Sequence, residues 1–359
     1  MARRQSIRDI KERKIEHKRR KKRTKRAVFL ILEIVIFLLL LGTAYAMLKY
    51  DKFQIHTFED GELHVNEGVE KEGYTTLAVF GGDSRDGVLE EGTHSDTIII
   101  VSINDETKEI KMVSIYRDTL TEQVDGSLKK ANNAYFVGGP KGAINMLNKN
   151  FDLDIEGYVS VDFRSLAETV DLLGGIEIEV SEEEANEMNR HLNETSRVVG
   201  KKTNTVTAGK QVLDGVQAVT YSRIRKNVGE DFARTDRQRE VIGQVMSKAK
   251  NTNLSTLNSI IDEVFSKVST SLTMKDMIRI ASGISKYHLG ETSGFPFEFA
   301  NGRADGAGSV IVPLGLVENV QELHAFLYND TNYSVSNTVN ELAVTVQNAT
   351  GYSRADYTP

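Results

Sequence analysis

The stretch Ser95-Asp96-Thr97-Ile98-Ile99-Ile100-Val101-Ser102-Ile103 decides the fold. Residues 98–101 are apolar without alternation, which is the pattern of a central strand covered on both faces rather than of a half-exposed one. Runs rich in β-branched residues at 75–80 and 110–115 flank it, separated from it by Gly or Asp/Asn turn signals, and predict two neighbouring strands. Downstream the period changes to that of helices, at 141–150, at 163–173 with Gly174-Gly175 as a stop, at 182–191 and at 213–221, with a further strand at 176–180. Helical patterns at 234–250, 257–268 and 274–284, a late strand at 310–312 and a closing helix at 316–327 complete the series. Strands and helices interleaved in this way predict an α/β fold with a mixed β-sheet between helical layers (α/β/α) over residues 74–328.

Outward from that domain the chain is uneven. Residues 1–26 hold fourteen Lys and Arg against Asp9, Glu12 and Glu16, whereas the whole chain of 359 residues carries a net charge of -6. Residues 27–48 form a run interrupted by one charge, Glu33. At about 1.5 Å per residue the run reaches ~33 Å against a hydrocarbon core of ~30 Å, so one transmembrane helix is expected there. The positive-inside bias puts the basic tail in the cytoplasm and the remainder outside, which makes the chain a single-pass protein of the cell membrane. Residues 49–73 are polar and turn-rich and are expected to be an extracytoplasmic spacer, while 329–359, with no strong apolar period, is expected to be a loosely ordered tail. There is no cysteine, which removes disulfides and thiol chemistry, and neither a Gly-x-Ser-x-Gly nor a His-Glu-x-x-His pattern occurs.

Charged residues collect where the strands end, the place at which α/β sheets gather ligand sites. Gly81-Gly82-Asp83-Ser84-Arg85 follows the first strand, and Ser95-Asp96-Thr97 opens the second. Asp83 and Asp96 are hard oxygen donors suited to a divalent cation such as Mg²⁺ or Mn²⁺. Arg117-Asp118 closes the third strand, and Lys130-Ala131-Asn132-Asn133-Ala134-Tyr135 precedes Gly138-Gly139. Arg223 and Arg225 are expected to project the same way from an extended segment, and Arg234 and Arg237 to share one face of a helix. Four arginines brought together repel one another and require an anionic partner; guanidinium forks suit phosphate oxygens best.

In this order the motifs resemble those of the LytR-CpsA-Psr family of envelope proteins: Gly-x-Asp-Ser-Arg, Ser-Asp-Thr, Ser-Ile-x-Arg-Asp, Lys-x-Asn-x-Ala-Tyr, and Arg-x-Arg followed by Asp-x-x-Arg-x-x-Arg-Gln. The resemblance runs directly over residues 75–238. Tyr116 departs from it where proline is common, Ala131 where a branched residue is frequent, and Arg239 where a second glutamine is common. The resemblance implies an enzyme that moves an anionic glycopolymer of the wall teichoic acid or capsular polysaccharide type. The implied donor is a polyprenyl-pyrophosphate carrier, the implied acceptor peptidoglycan and the implied bond a phosphodiester. It further implies Asp83 and Asp96 as metal ligands and Arg85, Arg117, Lys130, Arg223, Arg225, Arg234, Arg237 and Gln238 around the pyrophosphate. Asp118 and Asp231 are implied to orient arginines, with Asp83 or Asp118 as proton acceptor. Two other functions use the same residues or the same tail: hydrolysis of the pyrophosphate alone, and membrane-bound transcriptional attenuation. The basic tail is explained by topology and lipid headgroups, so no nucleic-acid partner is expected.

Overall fold

In the computed structural model the chain is described at residues 45, 47–59, 61–69, 71–82, 89–225 and 231–356. Two units separate, residues 1–51 and 52–359. Of the first, little is described beyond a helical turn in which Asp51 N donates to Met47 O. The expected membrane helix at 27–48 lies outside the described residues but for positions 45, 47 and 48; no described helix is long and apolar enough to cross a membrane.

The second unit is built on a seven-stranded mixed sheet. Its strands are β1 (Gln54–Ile55), β2 (Tyr74–Gly82), β3 (Ser95–Asn104), β4 (Glu109–Ile115), β7 (Gly157–Asp162), β10 (Ser269–Thr270) and β11 (His288–Phe295), in the order β1-β10-β7-β2-β3-β4-β11. Strand β3 is antiparallel to both neighbours, while β7 runs parallel to β2 and β11 parallel to β4. Consequently the C-terminal ends of β2, β4, β7 and β11 and the start of β3 all meet at one end of the sheet. Three two-stranded ribbons lie beside it: β5 (Leu120–Glu122) with β6 (Leu128–Lys130), β8 (Ile176–Val180) with β9 (Gly209–Leu213), and β12 (Phe299–Ala304) with β13 (Gly308–Pro313).

The apolar run of β3 is divided between two cores, as an unalternating strand requires. Ile98 and Ile100 pack with Phe80, Val113 and Ile115 beneath α1 (Ala131–Phe151), α8 (Leu316–Tyr328) and α9 (Asn337–Thr350). Ile99 and Ile103 pack with Met112 on the opposite face, against Ile242 and Met246 of α5 (Asp231–Lys250) and Ile280 of α7 (Met274–Gly283). A third core joins α2 (Phe163–Leu172), α3 (Glu182–Val199) and α4 (Gly215–Arg223) to the β8–β9 ribbon. Helix α6 (Leu254–Val264) closes the edge near β1 and β10.

Four local expectations differ from this arrangement. Residues 49–73 are more than a spacer: Gln54–Ile55 adds a strand to the sheet, and Val69 and Asn66 are buried. The segment read as a loose tail folds as α9, because Val339, Leu342 and Val346 recur at helical spacing and enter the core, with Ser336 capping Val339 N. The first helix begins at Ala131 rather than 141, bent where Gly138, Gly139 and Pro140 interrupt it. The helix expected at 257–268 stops at Val264, and Ser269–Thr270 leave it to pair in the sheet.

Candidate functional site

The site end of the sheet is set by register. Strands β3 and β4 pair Ile99 with Ser114, and continuing that antiparallel register three residues places Arg117 across from Asp96. Their side chains meet: Arg117 Nη1 donates to Asp96 Oδ1 at 2.6 Å. Close approach of β2 and β3 here depends on Gly81, since a Cβ at that position would lie 2.8 Å from Thr97 Cβ. The buried Ser95 hydroxyl donates to Thr97 O at 2.7 Å and so stiffens the turn into β3.

A second carboxylate extends the chain of charges. Asp118 Oδ1 lies 3.0 Å from Lys130 Nζ and 3.8 Å from Arg117 Nε, so Asp96, Arg117, Asp118 and Lys130 alternate in sign. The backbone around them is held from several elements. Asn132 N donates to Arg117 O, Ala131 N to Thr119 O, and Ile311 N of β13 to Asp118 O. Ion pairs formed between residues fixed in this way lose less side-chain entropy than surface pairs do.

Helix α5 brings the remaining arginines. Arg234 and Arg237 are 3% and 6% exposed, burial that guanidinium groups show only when paired. Arg234 Nη2 reaches the backbone oxygen of Asp96 at 3.5 Å. Arg237 turns to the end of α4, where Nη2 donates to Ile224 O at 2.6 Å and Nη1 lies 3.4 Å from Glu184 Oε1. Gln238 does the same through Ser222 O at 3.4 Å. Arg237 and Gln238 therefore hold the segment that carries Arg223 and Arg225.

Those two arginines line one cleft of about 210 Å³ with His191, Glu194, Thr195 and Ile224. Arg223 ends α4 instead of lying on an extended strand, and its guanidinium stacks 4.4 Å over the Phe163 ring; Arg225 follows it and is exposed. Asp83 and Arg85 lie outside the described residues, as does the side chain of Asp231.

Sequence reasoning missed an aromatic wall beside Arg117. The Tyr116 ring stands edge-on to Phe232 at 4.4 Å, and Phe232 stacks on Phe299 at 4.7 Å. Gly294 makes room for the phenol, since a Cβ there would collide with Tyr116 Oη. Burial pushes the Tyr116 phenol up to about 12; Arg239 acts against that rise and Asp236 adds to it. Arg239 is itself buried and paired with Asp236, and desolvation pulls its guanidinium below the usual arginine range. Tyr116 and Arg239 were visible as departures from the motif pattern; that they are neighbours was not.

Asp96 has the right donor chemistry, but its Oδ1 is engaged by Arg117, and among the described residues no group of three or more His, Cys, Asp or Glu gathers to hold an ion. Mg²⁺ commonly takes one or two carboxylates and completes its shell with water and substrate phosphate oxygens; of the two expected ligands, Asp96 is the one among the described residues.

The same architecture is found among characterised proteins. Polyisoprenyl-teichoic acid–peptidoglycan teichoic acid transferase TagU of Enterococcus faecalis (strain ATCC 700802 / V583) is 32% identical over 256 residues, 69% of this chain and 79% of the relative. Its counterpart TagU of Bacillus subtilis (strain 168) is 30% identical over 283 residues, 75% of this chain and 85% of the relative. The solved structure of LytR-CPS2A-psr family protein YwtF (TagT) with bound octaprenyl pyrophosphate lipid shares the fold, with a TM-score of 0.55 at 20% identity over 77% of this chain and 100% of that one. The LytR_cpsA_psr family pattern matches residues 43–322, which spans the sheet, the charged site end and α5, and the chain belongs to that family.

Proposed function

We propose that the protein is a transferase that moves an anionic glycopolymer from a polyprenyl-pyrophosphate carrier to a hydroxyl of peptidoglycan, forming a phosphodiester. One observation supports this reading above the others. Arg117, Lys130 and the buried Arg234 converge with Asp96 and Asp118 at one sheet end, where the cations hold geometry before any substrate arrives. Both relatives named above are teichoic acid transferases, and the solved family member holds a prenyl pyrophosphate.

The chemistry asked of such a site is positioning and charge neutralisation, because phosphoryl transfer needs little covalent help. Arg117 and Arg234 offer N–H donors to the pyrophosphate oxygens, and charge-assisted bonds of this kind strengthen as charge develops on the leaving prenyl phosphate. Arg223 and Arg225, set on the cleft by Arg237 and Gln238, extend the cationic surface toward the glycan, and Arg85 joins them by its motif. Asp118, tied to Lys130 and Arg117, orients both cations. Proton acceptance from the incoming sugar hydroxyl is assigned to Asp83. A Mg²⁺ or Mn²⁺ ion held by Asp83 and Asp96 would supply further neutralisation of the pyrophosphate charge. The enzyme is anchored by residues 27–48 with the catalytic domain outside the cell.

The test is direct. The full chain in vesicles, given a lipid-linked glycan, Mg²⁺ and peptidoglycan, is expected to produce glycan covalently bound to peptidoglycan. Release of free glycan phosphate with no attachment would replace this reading with pyrophosphate hydrolysis.

A further inference from the structure

The register of the sheet fixes where the chain enters the domain. Gln54 and Ile55 pair in parallel with Ser269 and Thr270, which lie opposite Ser160 and Val159 of β7; these in turn are level with Phe80 and Val79 of β2. Moving backward from Gln54 to Lys52 therefore leads toward the end where β7 stops at Asp162 and β2 at Gly82. Phe53 against Phe265 at 4.1 Å and Lys52 Nζ to Asp262 at 2.7 Å pin that entry. The chain thus enters the domain at Lys52 on the end that carries Asp96 and Arg117, not on the end with the β3–β4 turn.

At that same end the first turns of α1 leave two apolar side chains in solvent. Phe136 is 39% exposed and Val137 65%. They are held rigidly: Phe136 stacks on His94 with ring centroids 4.4 Å apart, Gly92 N donates to Phe136 O at 2.8 Å, and Tyr135 anchors the turn through Leu89 O at 2.9 Å. The pair lies on the helix that opens after Lys130, and Phe136 packs on His94, two residues before Asp96, so it adjoins the charged site. Exposed apolar residues such as Ile278, Val212 and Val344 occur elsewhere, and single ones need no explanation. What distinguishes Phe136 and Val137 is a fixed backbone, the adjoining site and the chain entry at the same end of the sheet.

We infer that the site end of the domain rests on the membrane, with Phe136 and Val137 entering the boundary between lipid headgroups and acyl chains. The occupant of this apolar lip is the bilayer surface itself, in the manner of other interfacial apolar faces. The lip brings Arg117 and Lys130 to headgroup depth, where the pyrophosphate of a membrane-borne prenyl carrier can be engaged. This rests on the proposed lipid-linked donor, but its main test does not require turnover.

The chain contains no cysteine, so Val137→Cys creates a single labelling position; Glu106→Cys, on the exposed β3–β4 turn, provides the reference at the opposite end. Each full-length variant, carrying an environment-sensitive dye, is reconstituted into phosphatidylethanolamine and phosphatidylglycerol vesicles containing lipids brominated along the acyl chain. The expected result is strong quenching at position 137 and none at 106. Equal quenching at both, quenching at 106 alone, or a blue-shifted dye at 137 that the brominated lipids leave unquenched would overturn the inference, the last by showing a protein surface on the lip. As a second measurement, Val137→Glu is expected to slow transfer from a vesicle-embedded carrier about tenfold and to leave a water-soluble short-prenyl donor unaffected. An equal effect on both donors argues against membrane seating. If wild type turns over neither donor, the proposed function fails and the quenching result alone decides the lip.

Discussion

A polar cluster at the end of α1 and the one at the site end are built on opposite principles. Asp152, fully buried at the end of α1, accepts from Asn66 Nδ2 at 2.6 Å, from Ser336 Oγ at 2.6 Å and from Ser336 N at 2.7 Å. Each of these donors is neutral and each is fixed by its own element, so the carboxylate is closed and joins the entry segment, α1 and α9. At the site end, by contrast, Asp96 and Asp118 are satisfied by Arg117 and Lys130, whose side chains remain 25% and 30% exposed. Charge paired with charge at a solvent boundary can be exchanged for a phosphate at modest loss, whereas neutral donors around a sealed carboxylate cannot be exchanged for anything. A carboxylate with fixed donors marks both clusters; its burial and the kind of partner separate scaffold from site.

The largest expected effects set these clusters against each other. Asp152→Ala removes the shared acceptor of one buried donor, on Asn66, and two part-buried ones, on Ser336, and is expected to cost about 3 kcal/mol of stability, read as a lower urea midpoint. Turnover by the molecules that remain folded should match wild type. Arg117→Ala reverses the pattern, with turnover reduced at least about a hundredfold, near 3 kcal/mol in the barrier, and a stability change below about 1 kcal/mol because the lost pair is partly solvated. If Arg117→Ala unfolds the protein, or Asp152→Ala lowers turnover of folded enzyme, the division between the clusters collapses.

Much of the scaffold was legible because its signals are local. Ile98 to Val101 reads as a doubly covered strand from its own residues, and the two faces of β3 do enter separate cores. Elements whose identity depends on distant partners were not legible. Strand β11 carries Gly290, Glu291, Thr292 and Ser293 and reads as loop, yet it becomes a strand because β4 offers a free edge. Helix α9 buries three apolar residues, and Val344 between them faces out, so the stripe is too weak to announce a core face until Asp152 and Ser336 fix its start. Within the site, the sequence grouped Arg234 with Arg237 on one helix. It could not show that one turns toward Asp96 and the other toward Ile224 and Glu184, because that choice is made by what packs on either side of α5.

A third expected effect concerns the scaffold alone. His324, beside the Asp152 cluster, is buried with its Nε2 3.1 Å from Phe151 O and its ring stacked 3.6 Å from Tyr333. Desolvation, aided by the nearby Lys71, lowers its folded value to about 4. An unfolded histidine binds a proton near pH 6.5 while the folded one refuses it, so stability is full above about pH 6.5 and declines as pH falls toward 4. The loss amounts to about 3 kcal/mol and levels off below that point. Urea midpoints measured across this range should show the slope in wild type and a flatter curve in His324→Gln. Equal slopes would place the acid sensitivity elsewhere.

The smallest expected effect tests whether an arginine, an aspartate and a cavity are enough to make a site. At the far end of the sheet Arg279 lies 3.8 Å from Asp105, with side chains 48% and 43% exposed, beside a cavity of about 340 Å³ lined also by Lys108 and Lys286. By size this cleft exceeds the one at Arg223 and Arg225. Its ion pair, however, is longer and more solvated than that of Arg117, and Arg279 also reaches Asp276 and Thr75, so nothing there is withheld from water. Exposed pairs of this kind contribute little, and Arg279→Ala is expected to change stability by no more than about 0.5 kcal/mol and turnover not at all. Activity measured beside Arg117→Ala under identical conditions gives the contrast. A tenfold loss from Arg279→Ala would mean that the two sheet ends are coupled, and that exposure of an ion pair does not distinguish a working site from a solvated one in this fold.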